Sequence, residues 1–494
     1  MIGVSTAAEM RELDRRVIEG LGLPGIALME LASAGVAQAI RRHHHEDLAG
    51  TVVVATGGGN NGGDGWAVAR WLHGWGYAVR VWPVGPPKTD DAATMATVAR
   101  AAGVVVSREG PEGADEALDG ASLVVDAVLG TGLSSEVRGA AAAVLRAIVT
   151  WGGPVVAVDV PSGLHSDSGV ALGPVPRARR TVTFARAKRG LYAADGPDLA
   201  GEVEVVDIGL GAGSAPDMLR SAARIEASDV PWPRRPPGAH KGTSGHLAVV
   251  AGSEAMAGAA VLCCLGALAA EAGKVTLVTA EGALPRLGAL PAEVMLSLQA
   301  GDRLEGLPDL GWADAMVAGP GLGGGRPLPE GLAAALRRAW CEGSLPMVFD
   351  ADALEVVASP ASSAKSPRVI TPHPGEAARL LGCTTAQVSA DRFGSARRLG
   401  ELSHGTALLK GRFTLVDDGH LVTINPTGGP ALASGGTGDV LAGMVGAFLA
   451  RGLAAPHAAR TAAWWHGVAG EALGAGARAS ELPSALRRAI SSGR

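Results

Sequence analysis

The sequence predicts an α/β protein of two domains, each built on a largely parallel sheet. Three observations carry that reading. Short aliphatic runs of strand length alternate with Ala-rich stretches of helix length along the whole chain. Most of these runs end in Gly, Asp, Asn, His or Lys, the chemistry expected where an open parallel sheet meets its ligand. Finally, 494 residues exceed what one core ordinarily serves. The stretch Asp229-Val230-Pro231-Trp232-Pro233-Arg234-Arg235-Pro236-Pro237-Gly238 is stiff and donor-poor, as a linker should be. Domains are expected over 1–213 and 225–494, with the linker at about 214–238.

Composition narrows the partners. A net charge of −5 argues against nucleic acid or a membrane surface. With 72 glycines and only 3% aromatics, the cores must be aliphatic and closely packed. Cys263, Cys264, Cys341 and Cys383 form no disulfide framework and no CxxC. Charged residues crowd the N-terminus, unlike a signal peptide, and the apolar run Ala255–Ala270 is shorter than the ~20 residues of a membrane span. A cytoplasmic location is expected. Lysine is scarce (88, 188, 241, 274, 365 and 410), so a lysine inside a motif carries weight.

In chain order, Thr6-x-x-Glu9 is a capping box for a first helix with Met10, Leu13, Val17 and Ile18 at helical spacing. Pro24 opens a second helix, closed by His43-His44-His45. Adjacent helical histidines diverge, so these read as a solvated helix end rather than a metal site. The strand Thr51–Ala55 enters Gly57-Gly58-Gly59-Asn60-Asn61-Gly62-Gly63-Asp64-Gly65, with a helix expected from Trp66. This loop is not a Walker loop, and its glycines exceed what a plain turn requires. Further strands are expected at Tyr77–Val84, Ser122–Gly130, Pro154–Asp159 and Thr181–Phe184. Asp126 falls inside an apolar run, where a carboxylate needs a partner or a cation.

After the linker, strands are expected at Leu247–Val250, Lys274–Ala280, Ala315–Ala318, Met347–Asp350, Val369–Ile370 and Ala407–Lys410. The stretch Ala433–Gly443 then sets Gly435, Gly436, Gly438 and Gly443 around Asp439, just ahead of an apolar helical run. Glycines before a helix free backbone N–H groups, and the helix N-terminus adds about half a positive charge. The result is an anion hole with a carboxylate at its lip, suited to take a proton from a hydroxyl attacking a phosphate. The competing reading of Asp439 is an ordinary helix cap.

Two sets of ordered motifs resemble known families. Asn60–Gly65, Asp126 with Gly130-Thr131-Gly132, Val158–Gly163 and Lys188-x-Gly190 resemble the NAD(P)H-hydrate epimerases over roughly 1–210. The resemblance implies a Rossmann-like three-layer domain that interconverts the R and S hydrates of NADH and NADPH. It implies potassium on Asn61, Asp126 and Ser162. It implies substrate contacts at Asn60, Asn61, Gly62, Gly63 and Asp64, at Gly130, Thr131, Gly132, Leu133, Ser134, Ser135 and Glu136, and at Asp159. Asp159 and Lys188 are its candidate acid and base.

Lys241-x-x-x-Gly245, Gly319–Gly323, Asp350–Leu354, Thr371–Glu376, Lys410-Gly411 and Gly435–Asp439 resemble the ADP/ATP-dependent NAD(P)H-hydrate dehydratases over roughly 225–473, themselves similar to ribokinase-like kinases. Lys274 departs from the small residue common at its place. Here the resemblance implies that Lys410, Gly411, Arg412, Phe413 and Thr414, with Gly435, Gly436, Thr437 and Gly438, hold the nucleotide with Mg2+. Ala259, Gly323, His373 and Asp439 would contact the hydrate, and Asp439 would be the base. ADP is the expected donor and an assembly of identical chains is expected. The rival reading is a sugar or vitamin kinase behind a non-catalytic binding module.

Overall fold

The computed structural model describes residues 1–210, 221–357 and 366–492. The chain divides into two compact units, Ile2–Ala223 and Arg224–Arg494, the latter together with Met1. The boundary placed at 213 and the linker positions 214–220 lie outside the described residues.

In the first unit seven parallel strands stand in the spatial order Val105–Val106, Val79–Pro83, Thr51–Thr56, Ala121–Ala127, Val155–Val158, Arg180–Phe184, Glu202–Val206. Chain order reverses between Thr51–Thr56 and Ala121–Ala127, so a crevice opens at their C-terminal ends. Both faces are buried. Val52 and Val54 point into a core with Ile40, Trp66 and Leu72, while Val53 and Ala55 join Trp82, Leu145 and Ile148 on the other side. That is why these strands read as unbroken aliphatic runs rather than alternating ones. A short strand, Ile2–Ser5, pairs parallel with Ala187–Lys188. The capping box forms as expected, with Glu9 N–H donating to Thr6 Oγ1 at 3.2 Å.

The helix expected from Trp66 begins six residues earlier, at Asn60, so the Asn-Asn pair is its first turn. The glycines before and within it have a packing reason that the sequence did not show. A Cβ on Gly57 would lie 1.9 Å from Val128 O, and one on Gly62 the same distance from Gly57 O. His44 also differs from expectation. It is buried, with Nδ1 3.0 Å from Asp47 Oδ2, while His43 and His45 stay exposed.

The sheet of the second unit has the spatial order Val294–Gln299, Lys274–Ala280, His246–Val250, Ala315–Ala318, Met347–Phe349, Arg368–Ile370, Thr406–Leu409, all parallel. An antiparallel ribbon, Leu415–Asp417 and Val422–Ile424, extends it. Order reverses between His246–Val250 and Ala315–Ala318. The helix Thr437–Ala450 crosses this reversal, with Gly446 against Val317 and Leu247. It meets Ala257–Ala269 so closely that a Cβ on Gly443 would lie 2.0 Å from Cys263 O. Small residues permit that approach, which accounts for the Gly- and Ala-rich, aromatic-poor core. Lys274 lies at the start of its strand, in register with His246, at the edge away from the strand-end loops.

No helix among the described residues is long and apolar enough to cross a membrane. The four cysteines are free, and burial pushes the Cys264 thiol up to about 12.

Candidate functional sites

In the first unit the strand ends gather a buried charged cluster. Asp159 follows Val155–Val158 with φ 68°, a left-handed backbone that a non-glycine residue holds only when its surroundings enforce it. That turn aims its carboxylate at Lys188, whose Nζ donates to Asp159 Oδ1 at 2.5 Å and to Thr183 Oγ1 at 2.9 Å. Thr183 Oγ1 in turn donates to Asp159 Oδ1 at 2.8 Å. Lys188 is 2% exposed. Asp64, on the second turn of the Asn60 helix, is buried as well. Burial first, and the negative charge of Asp159 second, hold its carboxyl well above the usual carboxylate range. Asp14 feels the same field. Burial raises its pKa, Lys188 opposes the shift and Asp159 adds to it. Asp14 was not marked by the sequence, because an acid on an amphipathic helix looks like any solvated one.

Beside this cluster Asp126 is fully buried. Its Oδ2 accepts from Ser162 N–H at 2.8 Å and its Oδ1 from Val128 N–H at 3.3 Å. The Ser162 hydroxyl accepts from Leu129 N–H at 2.7 Å and donates to Leu129 O at 3.1 Å. The Asn61 side chain lies against Gly130, and its buried Nδ2 has no hydrogen-bond partner. Asn61, Asp126, Gly130 and Ser162 therefore form one connected patch. Ser134, Ser135 and Glu136 are exposed farther along the loop, where Glu136 pairs with Arg138 at 3.1 Å.

In the second unit the Asp439 carboxyl lies on the first turn of Thr437–Ala450, whose N-cap Gly436 has φ 90°. Burial, then the nearby Asp350, raise its pKa to about 7, with Lys410 opposing the shift. The Lys410 amine sits beside Gly438, where a Cβ would be 3.2 Å from Nζ. It donates to Asp350 Oδ1 at 2.8 Å and lies 3.9 Å from Glu376 Oε2. Burial works against the Lys410 charge, but Asp350, Glu376 and Asp439 outweigh it and raise its pKa. His373 caps the helix Pro374–Leu381 and stands 3.4 Å from Glu376 Oε1. Gly323 N–H donates to Asp352 Oδ2 at 2.8 Å. Ala259 borders Gly321. Gly435 is open, with nothing within 4 Å of a Cβ placed there. Gly411 and Arg412 are exposed on the loop after Thr406–Leu409, and the Thr414 hydroxyl donates to Gly411 O at 3.0 Å.

Three supporting residues escaped the sequence reading. His466 is buried beneath the first turn of Thr437–Ala450, its Nε2 2.9 Å from Thr437 O, and burial pushes its pKa down to about 4. It is therefore neutral, and since a carbonyl only accepts, the Nε2 carries the proton. Asn425 and Thr427 tie the chain before Gly428 to the helix Ala455–Leu473, through Ala463 O and Trp464 O. An Asn-Pro-Thr-Gly-Gly-Pro run was the available signal for Asn425 and Thr427. A histidine within an apolar helix gave none. Among the described residues no group of three His, Cys, Asp or Glu side chains could hold a metal ion.

Two family models match the chain. One described as NAD(P)H-hydrate dehydratase covers residues 247–492, and one described as YjeF-related protein N-terminus covers 25–190. A bifunctional NAD(P)H-hydrate repair enzyme of Moorella thermoacetica is 36% identical over 94% of this chain and 91% of its own length. One of Salinibacter ruber is 39% identical over 96% and 92%. A solved structure from Bacillus subtilis, described as an ADP/ATP-dependent NAD(P)H-hydrate dehydratase co-crystallised with ATP and Mg2+, covers 57% of this chain and 100% of its own, at 28% identity and a TM-score of 0.48. With more than a third of its residues shared with full-length relatives across both domains, the chain belongs to the family of bifunctional NAD(P)H-hydrate repair enzymes.

Proposed function

We propose that the chain repairs hydrated NADH and NADPH in two steps. The first domain interconverts the R and S hydrates. The second converts the S hydrate back to the dinucleotide while splitting ADP to AMP and phosphate. The observation that carries the reading is Asp439, a carboxyl tuned to about 7 at the mouth of a glycine-lined helix N-terminus.

Hydroxide is a poor leaving group, and phosphorylation improves it. Asp439 accepts the proton of the hydrate hydroxyl as that oxygen attacks the terminal phosphorus of the nucleotide. N–H groups at Gly435–Gly438, with the Lys410 amine beside Gly438, meet the charge growing on the phosphoryl oxygens. The ring nitrogen then expels phosphate, and a ring proton leaves to restore the double bond. Mg2+ accompanying the nucleotide would neutralise phosphate charge, and the Asp350 and Glu376 carboxylates, which face Lys410, would be its hard-oxygen donors.

Inversion in the first domain needs the hydroxyl to leave and return on the other face. Asp64, whose carboxyl burial and then Asp159 hold well above the usual carboxylate range, is the proton source, while the Asp159–Lys188 pair orients the ring. Potassium suits the patch of Asn61, Asp126 and Ser162. The donors are hard oxygens, and among the described ion pairs none gives the buried Asp126 carboxylate a cationic partner. The ion would balance that charge and brace the two loops. A cytoplasmic location, an assembly of identical chains and independent folding of 1–213 and 225–494 belong to the same reading.

The test is incubation with mixed NADH hydrates and ADP or ATP, followed by chiral separation. Consumption of both epimers with release of AMP or ADP and phosphate is expected. A phosphorylated product that accumulates would favour a hydroxyl kinase instead.

A further inference from the structure

Arg392 opens the helix Arg392–Ser403 and is 9% exposed. Its side chain runs beneath the loop that follows Thr406–Leu409. Nη2 donates to Phe413 O at 3.3 Å and reaches Lys410 O at 3.5 Å, so one guanidinium spans both ends of the loop. It lies so close to Gly411 that a Cβ there would be 2.6 Å from Nη1.

Between those two carbonyls the backbone takes two positive φ angles, one open to glycine and the other strained at Phe413. Gly411 has φ 136°, and Phe413 has φ 53°, a region that a bulky aromatic residue occupies only when something holds it there. Arg392 is also a buried charge without a compensating carboxylate among the described ion pairs, and its Nε is buried without an acceptor. Burial pushes its pKa down to about 10, which still leaves it charged at neutral pH. The cost of burying such a charge calls for a return elsewhere.

We infer that Arg392 is a positioning residue of the nucleotide step, presetting the strained Lys410–Phe413 loop and placing an uncompensated positive charge beneath it for a phosphate-bearing ligand. This rests on the reading of Lys410–Thr414 as the nucleotide loop. Arg392 touches no reacting atom, so its loss should weaken nucleotide binding more than turnover.

The test uses the full chain with R392Q and R392K. Dehydration is measured against ADP or ATP at saturating hydrate, then against hydrate at saturating nucleotide. Thermal unfolding of the same samples reports folding of the second domain. R392Q is expected to raise the nucleotide KM by roughly tenfold or more, with kcat within about twofold and the hydrate KM unchanged. R392K keeps the charge without the planar fork and should recover part of the loss. A kcat that falls with an unchanged nucleotide KM would mark Arg392 as merely structural and overturn the inference.

Should R392Q fail to fold, F413G supplies a second route. Glycine accepts the positive φ, so in an F413G background R392K should change the nucleotide KM less than it does alone. Equal effects in both backgrounds would overturn the clamp. If the unmodified chain shows no nucleotide-dependent turnover, the functional reading fails and this inference with it. A normal response with unchanged variant KM removes this inference alone.

Discussion

Each domain places a lysine and a carboxylate at the C-terminal edge of a parallel sheet, but the two pairings differ. In the first, Lys188 binds the candidate catalytic residue itself, Asp159, at 2.5 Å. In the second, Lys410 binds Asp350 at 2.8 Å and leaves Asp439 without a direct partner among the described ion pairs. A carboxylate locked to an ammonium is a poor proton acceptor, because neutralising it strands the buried cation. One left unpaired among other acids is pushed toward neutrality, where it exchanges protons readily. On the proposed function, the difference suits Asp159 to holding charge and geometry beside Lys188, and Asp439 to moving a proton.

The comparison breaks most visibly at Asp439. Asp439→Asn keeps the shape and cannot accept a proton, so dehydration should fall by roughly 10²–10⁴-fold. R and S hydrates should still interconvert at the normal rate. NADH absorbance and chiral chromatography follow both, and normal NADH formation would return Asp439 to the role of a helix cap.

Asp159→Asn should slow epimerisation by about 10²-fold, the loss expected when the ring is misplaced while the proton source Asp64 remains. With nucleotide added, the S hydrate should vanish while the R hydrate falls only at its uncatalysed rate. Rapid loss of both would remove Asp159 from the epimerase.

The pH profile sharpens the contrast. Asp439 works ionised, so dehydratase kcat/KM should rise with pH through about 7. Asp350 is among the groups that raise that pKa, so Asp350→Asn favours the ionised form and should move the rising limb to lower pH. An unmoved limb would show that another group sets it.

The smallest effects separate two kinds of glycine. Gly62→Ala puts a methyl into Gly57 O and should cost about 1–3 kcal/mol in thermal unfolding. Gly435→Ala meets open space and should stay within about 0.5 kcal/mol, any loss appearing in nucleotide-dependent activity. Comparable destabilisation by both would show that the glycines of the two loops serve the same end.

The sequence by itself determined the fold class, most of the strands and the residues at their ends. An aliphatic run buried on both faces has few alternatives, and polar groups at its end are visible in one dimension. Strands it missed, among them Val294–Gln299, Glu202–Val206, Val105–Val106 and the ribbon Leu415–Ile424, are partly exposed or short, and their pattern is weak. It also left unseen the packing reason for the glycines after Thr51–Thr56, because close backbone approach leaves no mark in a sequence. Only the tertiary structure decided how the charges pair. Asp159 with Lys188 is separated by 29 positions, and Lys410 with Asp350 by 60. Asp14, His466 and Arg392 act through neighbours distant in sequence as well. Burial and nearby charge set whether an acid is ionised, and both are properties of three-dimensional surroundings that a residue's own type does not carry.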